Sequence, residues 1–384
     1  MTSLASTFMK HFADLPDPRI ERTRKHPLIN ILFIALCATL CEADDFVEVV
    51  DFGKARIEWL SQYLDLSNGI PSHDTFARVF GLLDPAAFSE CFAAWMKTLH
   101  KLIDGRVIAI DGKVLRASMD TATGTDAIHM VSAWTNLNQL VLGQVKVDRK
   151  SNEITAIPVL LKMLDLAGSI VTIDAMGTQK NIAKQIVEQE ADYVLALKGN
   201  QSTLHDDTVA LLERFQKERW RDAQDQPIPY TKFEQCQKDH GRIETRTCWA
   251  TACPPWMINE HAWKGLQSIA VVESQCISKG KLTKDKRYFI TSLAPQADKI
   301  AFAVREHWGI ENSLHWVLDI VFREDMARAR KNHAAQNLAT LRHIALNLIR
   351  SEKTQNISIK RKRLKATLDP NYLQMIIFNT GKNI

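Results

Sequence analysis

Val107-Ile108-Ala109-Ile110-Asp111-Gly112-Lys113 is the stretch on which the fold turns. Its first four residues are apolar and rich in β-branching, which favours a buried strand. It then delivers an acid, and a carboxylate at the end of a buried strand needs a partner or a function because stripping its water is costly. Ile170-Val171-Thr172-Ile173-Asp174 repeats the pattern. A third acid, Glu311, lies far downstream in Trp308-Gly309-Ile310-Glu311-Asn312, on a helix-period stretch. Three converging carboxylates would make an oxygen-rich site for Mg²⁺ or Mn²⁺, and two such ions can drive phosphoryl transfer.

Outward from these segments the pattern predicts an α/β fold. Strands are expected at Arg106–Asp111, His129–Thr135, Gln139–Val147, Ser169–Asp174 and Tyr193–Leu197. Helices are expected at Glu153–Leu166 and at Thr178–Glu190, the latter capped by Thr178. The order β-β-β-α-β-α-β combines an antiparallel start with parallel crossovers, a mixed five-stranded sheet. If the first and fourth strands are neighbours, Asp111 and Asp174 emerge at one edge. Gly112 would then leave room for a close approach by a backbone or phosphate, with Lys113 and Arg116 beside it.

Residues 1–103 read as an all-helical N-terminal domain. Helices are expected at Leu28–Cys41, Phe46–Tyr63 and Pro85–Leu102, and a capped helix starts after Ser72 with Arg78 facing solvent. This spacing suits a DNA-binding helix-turn-helix or a plain helical bundle. Leu28–Cys41 is too short to span a bilayer, so a core helix is expected despite Arg22, Arg24 and Lys25 ahead of it. After a polar helix at 202–220, residues 202–293 read as a β-rich insertion with segments Tyr230–Lys238, Arg242–Ala250, Gln267–Ser278 and Arg287–Ser292. Long helices come next at Ala297–Phe322 and Asn332–Ser351. The catalytic core is expected at 104–201 and 294–351, and 352–384 reads as a basic tail carrying Lys-Arg-Lys-Arg-Leu-Lys at 360–365.

The chain's 46% hydrophobic and 24% charged content matches an ordinary globular protein. Its net charge of +5 is compatible with a polyanionic partner. Seven cysteines without framework spacing point to a reducing cytoplasm. Cys248 and Cys253 lack a second ligand pair of zinc-site spacing, which favours ordinary buried or surface thiols over structural zinc. His307, Glu311 and His315 share one face of an ideal helix, but two histidines two turns apart do not make a helical zinc site. Carboxylate coordination by Glu311, with the histidines facing DNA or neighbours, fits better. Arg242 and Arg246 alternate on a strand and could grip phosphates. Lys198 and Asn200 sit at a strand end, where α/β sheets place ligands. Arg323, Arg328 and Arg330 extend the Glu311 helix as a basic track for a nucleic-acid backbone or as a solvated charged face.

Five segments in order resemble the ISAs1-type insertion-sequence transposases, the H-repeat-associated proteins within the IS4-like DDE transposases. They are Ile-Asp-Gly-Lys at 110–113, Thr-Ile-Asp-Ala at 172–175, Leu-Lys-Gly-Asn-Gln at 197–201, Gly-Arg-Ile-Glu-Thr-Arg at 241–246, and His-Trp-Gly-Ile-Glu-Asn-Ser-Leu-His-Trp-Val-Leu-Asp at 307–319. The resemblance implies a ribonuclease H-like core with Asp111, Asp174 and Glu311 as the DDE triad holding two Mg²⁺ or Mn²⁺ ions. It implies metal-dependent cleavage and strand transfer on double-stranded DNA, at terminal inverted repeats and at a target. It also implies a homo-oligomer on paired ends in the bacterial cytoplasm, associated with the nucleoid and with no membrane contact. The broader IS4 pattern has Tyr and Arg before the Glu and a basic residue after it, where this chain has Val304, His307 and Leu318. Arg305, His307 and Trp308 stand in as expected DNA contacts. The alternatives are an inactive or domesticated DNA-binding relative and a non-mobile two-metal nuclease.

Overall fold

The computed structural model describes residues 4–99, 106–119, 126–148, 151–222, 224–239 and 241–378. The apolar run at 107 forms a strand, β1 (Val107–Leu115), which continues past the acid expected to end it. Its two neighbours explain why. β2 (Ile128–Thr135) pairs antiparallel with β1 from Ile108 to Leu115. β4 (Ile170–Ile173) pairs parallel with it only from Val107 to Ile110. Asp111 is therefore inside a strand, yet is the first residue beyond the parallel ladder. β3 (Leu140–Lys146) completes a hairpin with β2, and β5 (Asp192–Leu197) pairs parallel with β4. Helices Glu153–Met163 and Lys180–Glu188 make the crossovers and bury Ala156, Leu160, Ile182 and Ile186 against the sheet.

The sheet does not stop at five strands. β6 (Tyr230–Asp239), β7 (Arg242–Ala252), β8 (Ser268–Ser278) and β9 (Lys281–Thr291) form an antiparallel meander, and β9 pairs with β5 from Tyr288 to Thr291. The result is one nine-stranded sheet in the order β3-β2-β1-β4-β5-β9-β8-β7-β6. The β-rich insertion expected at 202–293 is thus a lateral extension of the core sheet. It also contains a helix, Pro255–His261, that the alternating pattern gives no hint of. A mixed α/β sheet with a helical N-terminal region is consistent with the ribonuclease H-like expectation.

In the N-terminal region, Leu28–Leu40 is buried on nearly every face, as a helix apolar all round must be. It packs on Ala334–Ser351. The expected Phe46–Tyr63 helix breaks at Arg56 into Phe46–Ala55 and Ile57–Leu60. Ser72 caps His73–Leu82 through the Thr75 N–H, and Arg78 is exposed. The expected basic tail is a correction: Ile359–Leu368 and Pro370–Phe378 are helices sharing a core with Phe8, Phe33 and Ile349. Lys362 is buried against Glu352, 3.0 Å away, and Arg363 donates to the Thr39 and Val321 carbonyls. Arginine at this spacing looks solvent-facing only until its distant carbonyl partners are known.

One sheet edge is closed by a side chain. Asn347 accepts from the Val141 N–H (2.9 Å) and donates to the Val141 carbonyl (2.8 Å), acting as a one-residue tenth strand. Asn347→Ala should leave both groups buried without partners and cost about 1–3 kcal/mol. Urea unfolding measures this, and a midpoint unchanged from wild type would refute the role.

Candidate active site

Asp111 and Lys113 point to the same side of β1, because strand side chains alternate. Asp174 comes directly after β4, and its carboxylate accepts from the Met176 (3.1 Å) and Gly177 (3.2 Å) N–H groups. This Asx-type turn fixes the loop after β4. Thr178, expected to cap the next helix, donates instead to the Asp174 and Ala196 carbonyls and ties that loop to β5. The helix begins at Lys180. Asn200 adds a bond from its amide to the Ala175 carbonyl.

Glu311 lies in a π-helical turn, Ile310–His315, between Ala297–Gly309 and Trp316–Ile320. The expected uninterrupted Ala297–Phe322 helix is therefore bulged at its acid, and such bulges recur at functional sites. Asp111, Asp174 and Glu311 all line one cavity of about 460 Å³, together with Lys198, His307 and Trp308.

Among the described residues, no lysine or arginine forms an ion pair with Asp111. Burial pushes the Asp111 carboxyl up to about 7, and the charges of Glu153, Asp174 and Glu311 add to the rise against a Gly112 backbone bond. Lys113 does not relieve it. Its ammonium is held by Asp319 (2.5 Å) and Glu324 (2.6 Å), so it cannot serve as the phosphate contact expected of it. His315 Nδ1 is 3.6 Å from Asp111, but burial first and Lys113 second push its pKa down to about 3. His307 hydrogen-bonds Thr172 Oγ1 at 3.0 Å and is pushed down to about 4 by burial and Arg287. Both histidines are neutral, so His307 offers DNA no charge.

Gly112 does not leave the open space expected beside Asp111. A methyl placed there would meet Glu153 Oε1 at 1.9 Å and His129 Nε2 at 2.7 Å. The space is filled by the His129–Glu153 pair (2.8 Å) and is not open to a ligand.

These donors suit hard divalent cations: three carboxylates from three elements, one of them made costly to ionise by burial and then by the neighbouring acids. Among the described residues, no group of three His, Cys, Asp or Glu side chains is already gathered to hold an ion.

The expected DNA contacts divide by position. Lys198 is exposed at the cavity and Arg305 is exposed on the Glu311 helix. Arg242, Arg246, Arg305 and Trp308 line a second cavity of about 320 Å³, which shares Asp285, Arg287, Val304 and Trp308 with the first. Arg242 and Arg246 each bind Glu244 at 2.6 Å, so their charges are partly spent within their own strand. Arg287, which the sequence pattern marks only as a strand end, stacks on Trp308 at 4.5 Å between the two cavities. Arg116 is exposed near Asp325. The basic helical track does not form, since the helix stops at Ile320. Arg323 turns to Asp44 (3.3 Å), Arg330 donates to the Ala117 carbonyl, and Arg328 is exposed.

Comparison with known proteins agrees with this architecture. The "DDE_Tnp_1-associated" model matches residues 9–96, and the "Transposase DDE domain" model matches residues 102–348. The chain is 40% identical to "H repeat-associated putative transposase YhhI" of Escherichia coli K12, over 97% of this chain and 98% of that one. It is 42% identical to "Putative transposase YncI" of Escherichia coli O157:H7, over 97% and 94%. A shorter relative, "Inactive transposase YbfQ" of Escherichia coli K12, is 41% identical over 18% of this chain and 84% of its own length. No helix among the described residues is long and apolar enough to cross a membrane. With a family model spanning both β1 and the Glu311 helix, and near-full-length relatives, the chain belongs to the DDE transposase family.

Proposed function

We propose that this protein cleaves DNA at insertion-element ends and joins the freed 3′-OH to a target, with Asp111, Asp174 and Glu311 as its catalytic carboxylates. One observation carries the reading: three acids far apart in sequence (174 − 111 = 63 and 311 − 174 = 137 residues) line a single cavity, where burial and the neighbouring carboxylates raise the Asp111 carboxyl to about 7. Two Mg²⁺ or Mn²⁺ ions held by them would activate the attacking oxygen and stabilise the leaving one. The remaining work falls to the protein. Asp174 holds its own loop rigid, Lys198 and Arg305 attract the phosphate backbone, and the groove of Arg242, Arg246 and Arg287 leads the strand toward the acids. Arg116 and Arg328 extend the basic surface. Residues 104–201 with 294–351 form the catalytic unit, 202–293 a DNA-gripping extension, and 1–103 a further DNA-binding region. Two copies act on paired ends, in the cytoplasm and at the nucleoid.

The test is cleavage of a linear duplex carrying the element's terminal repeat in Mg²⁺. Asp174→Asn should lower the rate by at least ~100-fold, since even outer-shell partners of metal ligands are worth 10–100-fold. Wild-type-like cutting would remove the triad assignment. A second reading, end binding without cutting, draws on the relative named inactive. That protein aligns with less than a fifth of this chain, while all three acids stand here.

A further inference from the structure

The π turn that carries Glu311 is braced on both flanks by residues outside the triad. Asn136, in the β2–β3 turn, donates from Nδ2 to the Glu306 carbonyl at 2.7 Å. Its orientation is fixed because Oδ1 accepts from Trp134 Nε1 at 2.8 Å. The amide lies against Gly309, where a methyl would come within 2.0 Å of it. On the other flank Arg350 donates to the Ser313 carbonyl and to the Gln139 carbonyl (2.8 Å) while stacking on Trp134 at 4.4 Å. Glu311 lies between Glu306 and Ser313 in the chain, so the hairpin through Asn136 and the Ala334–Ser351 helix through Arg350 hold the turn on either side of the acid.

A π turn inserts one residue into the helical register, which rotates the downstream side chains by about 100° relative to ideal α spacing. Such a turn needs outside partners for the carbonyls it strands. We infer that Asn136, with Arg350 as a second strut, is a positioning residue that holds the π turn and so aims Glu311 at Asp111 and Asp174. Gly309 is required because only a residue without Cβ admits the Asn136 amide. The inference rests on the triad reading but concerns different residues.

Three quantities test it in the full-length protein: Mn²⁺ binding without DNA by electron paramagnetic resonance, half-saturating Mn²⁺ for end cleavage, and amide exchange across 309–315. Asn136→Ala should weaken both Mn²⁺ measures by about 10–100-fold, the range seen for residues that orient ligands, and speed exchange in the turn. Leu137→Ala, at an exposed position of the same hairpin turn, should leave all three unchanged. Gly309→Ala should be at least as damaging, and Asn136→Ala added to it should return the protein to the level of Asn136→Ala alone. A merely structural Asn136 would shift the melting temperature without moving the Mn²⁺ dependence. An Asn136→Ala protein with wild-type Mn²⁺ dependence and exchange would overturn the inference, as would additive damage in the double variant. If Asn136→Ala does not fold, Asn136→Ser, too short to reach Glu306, is read the same way. Failure of Asp174→Asn to impair cutting would instead remove the triad reading, so the two failures are distinguishable.

Discussion

Asp111→Asn should abolish end cleavage and, in metal-free buffer at pH 8, make the protein more stable. Burial first, and then the carboxylates of Glu153, Asp174 and Glu311, raise the Asp111 pKa from 3.8 to about 7. The folded state therefore disfavours the ionised form. Between pH 4 and pH 7 the folded chain holds a proton that the unfolded chain has released, so stability falls as pH rises through that window. Above pH 7 the full penalty is present, no more than about 4 kcal/mol for three pKa units at 1.36 kcal/mol each. A neutral amide of the same shape removes it. Guanidinium unfolding with EDTA, at pH 8 and at pH 4.5, reads the effect. The variant should gain at pH 8 and gain much less at pH 4.5. A variant less stable than wild type at pH 8 would contradict the electrostatic account. Catalytic acids commonly destabilise the folds that carry them.

Glu324→Gln should have the opposite effect and lose about 3–5 kcal/mol, the usual cost of breaking a buried charge pair from one side. Glu324 is almost fully buried. Burial works to raise its pKa, but Lys113, Arg342 and His343 outweigh that and hold it below the usual carboxylate value. Lys113 Nζ lies 2.6 Å away and Arg342 4.0 Å. Without the charge, Lys113 keeps only Asp319 and Arg342 is left buried beside nothing anionic closer than Asp44. A thermal or urea melt gives the loss. Adding Lys113→Met should recover part of it, because the pair is coupled. A single-variant loss below about 0.5 kcal/mol would mean that the network is solvated and the burial argument is wrong.

The readable parts of the fold were those written in local pattern. The apolar runs before Asp111 and Asp174 gave strands, the second and third expected strands pair antiparallel, and the strand and helix order from β1 to β5 matches the periodicity. What escaped was decided by partners far along the chain. Lys113 beside an acid looks like a phosphate contact until Glu324, 211 positions away, claims it. Gly112 looks like open space until Glu153 fills it. The basic run at 360–365 looks solvated, yet Arg363 is spent on a carbonyl 324 positions earlier. The π turn is silent for another reason: one extra residue hardly disturbs a 3.6-residue period. The three acids that line the cavity could be singled out because each stands in or beside a periodic segment. The brace on the third could not be, since an Asn in a turn is ordinary.

The junction of β5 with β9 bears on how the chain is made. β5 is complete at Leu197, but its neighbour's first pairing residue, Tyr288, is 91 positions later (288 − 197). At 5–20 residues per second a ribosome needs about 5 to 20 s to deliver it. Over that interval β1, β4 and β5 can assemble while β5 presents a bare apolar edge, the kind that invites wrong pairing between nascent chains. Synthesis, rather than the finished protein, is where this architecture is most exposed to aggregation, and where a chaperone would have most to shield.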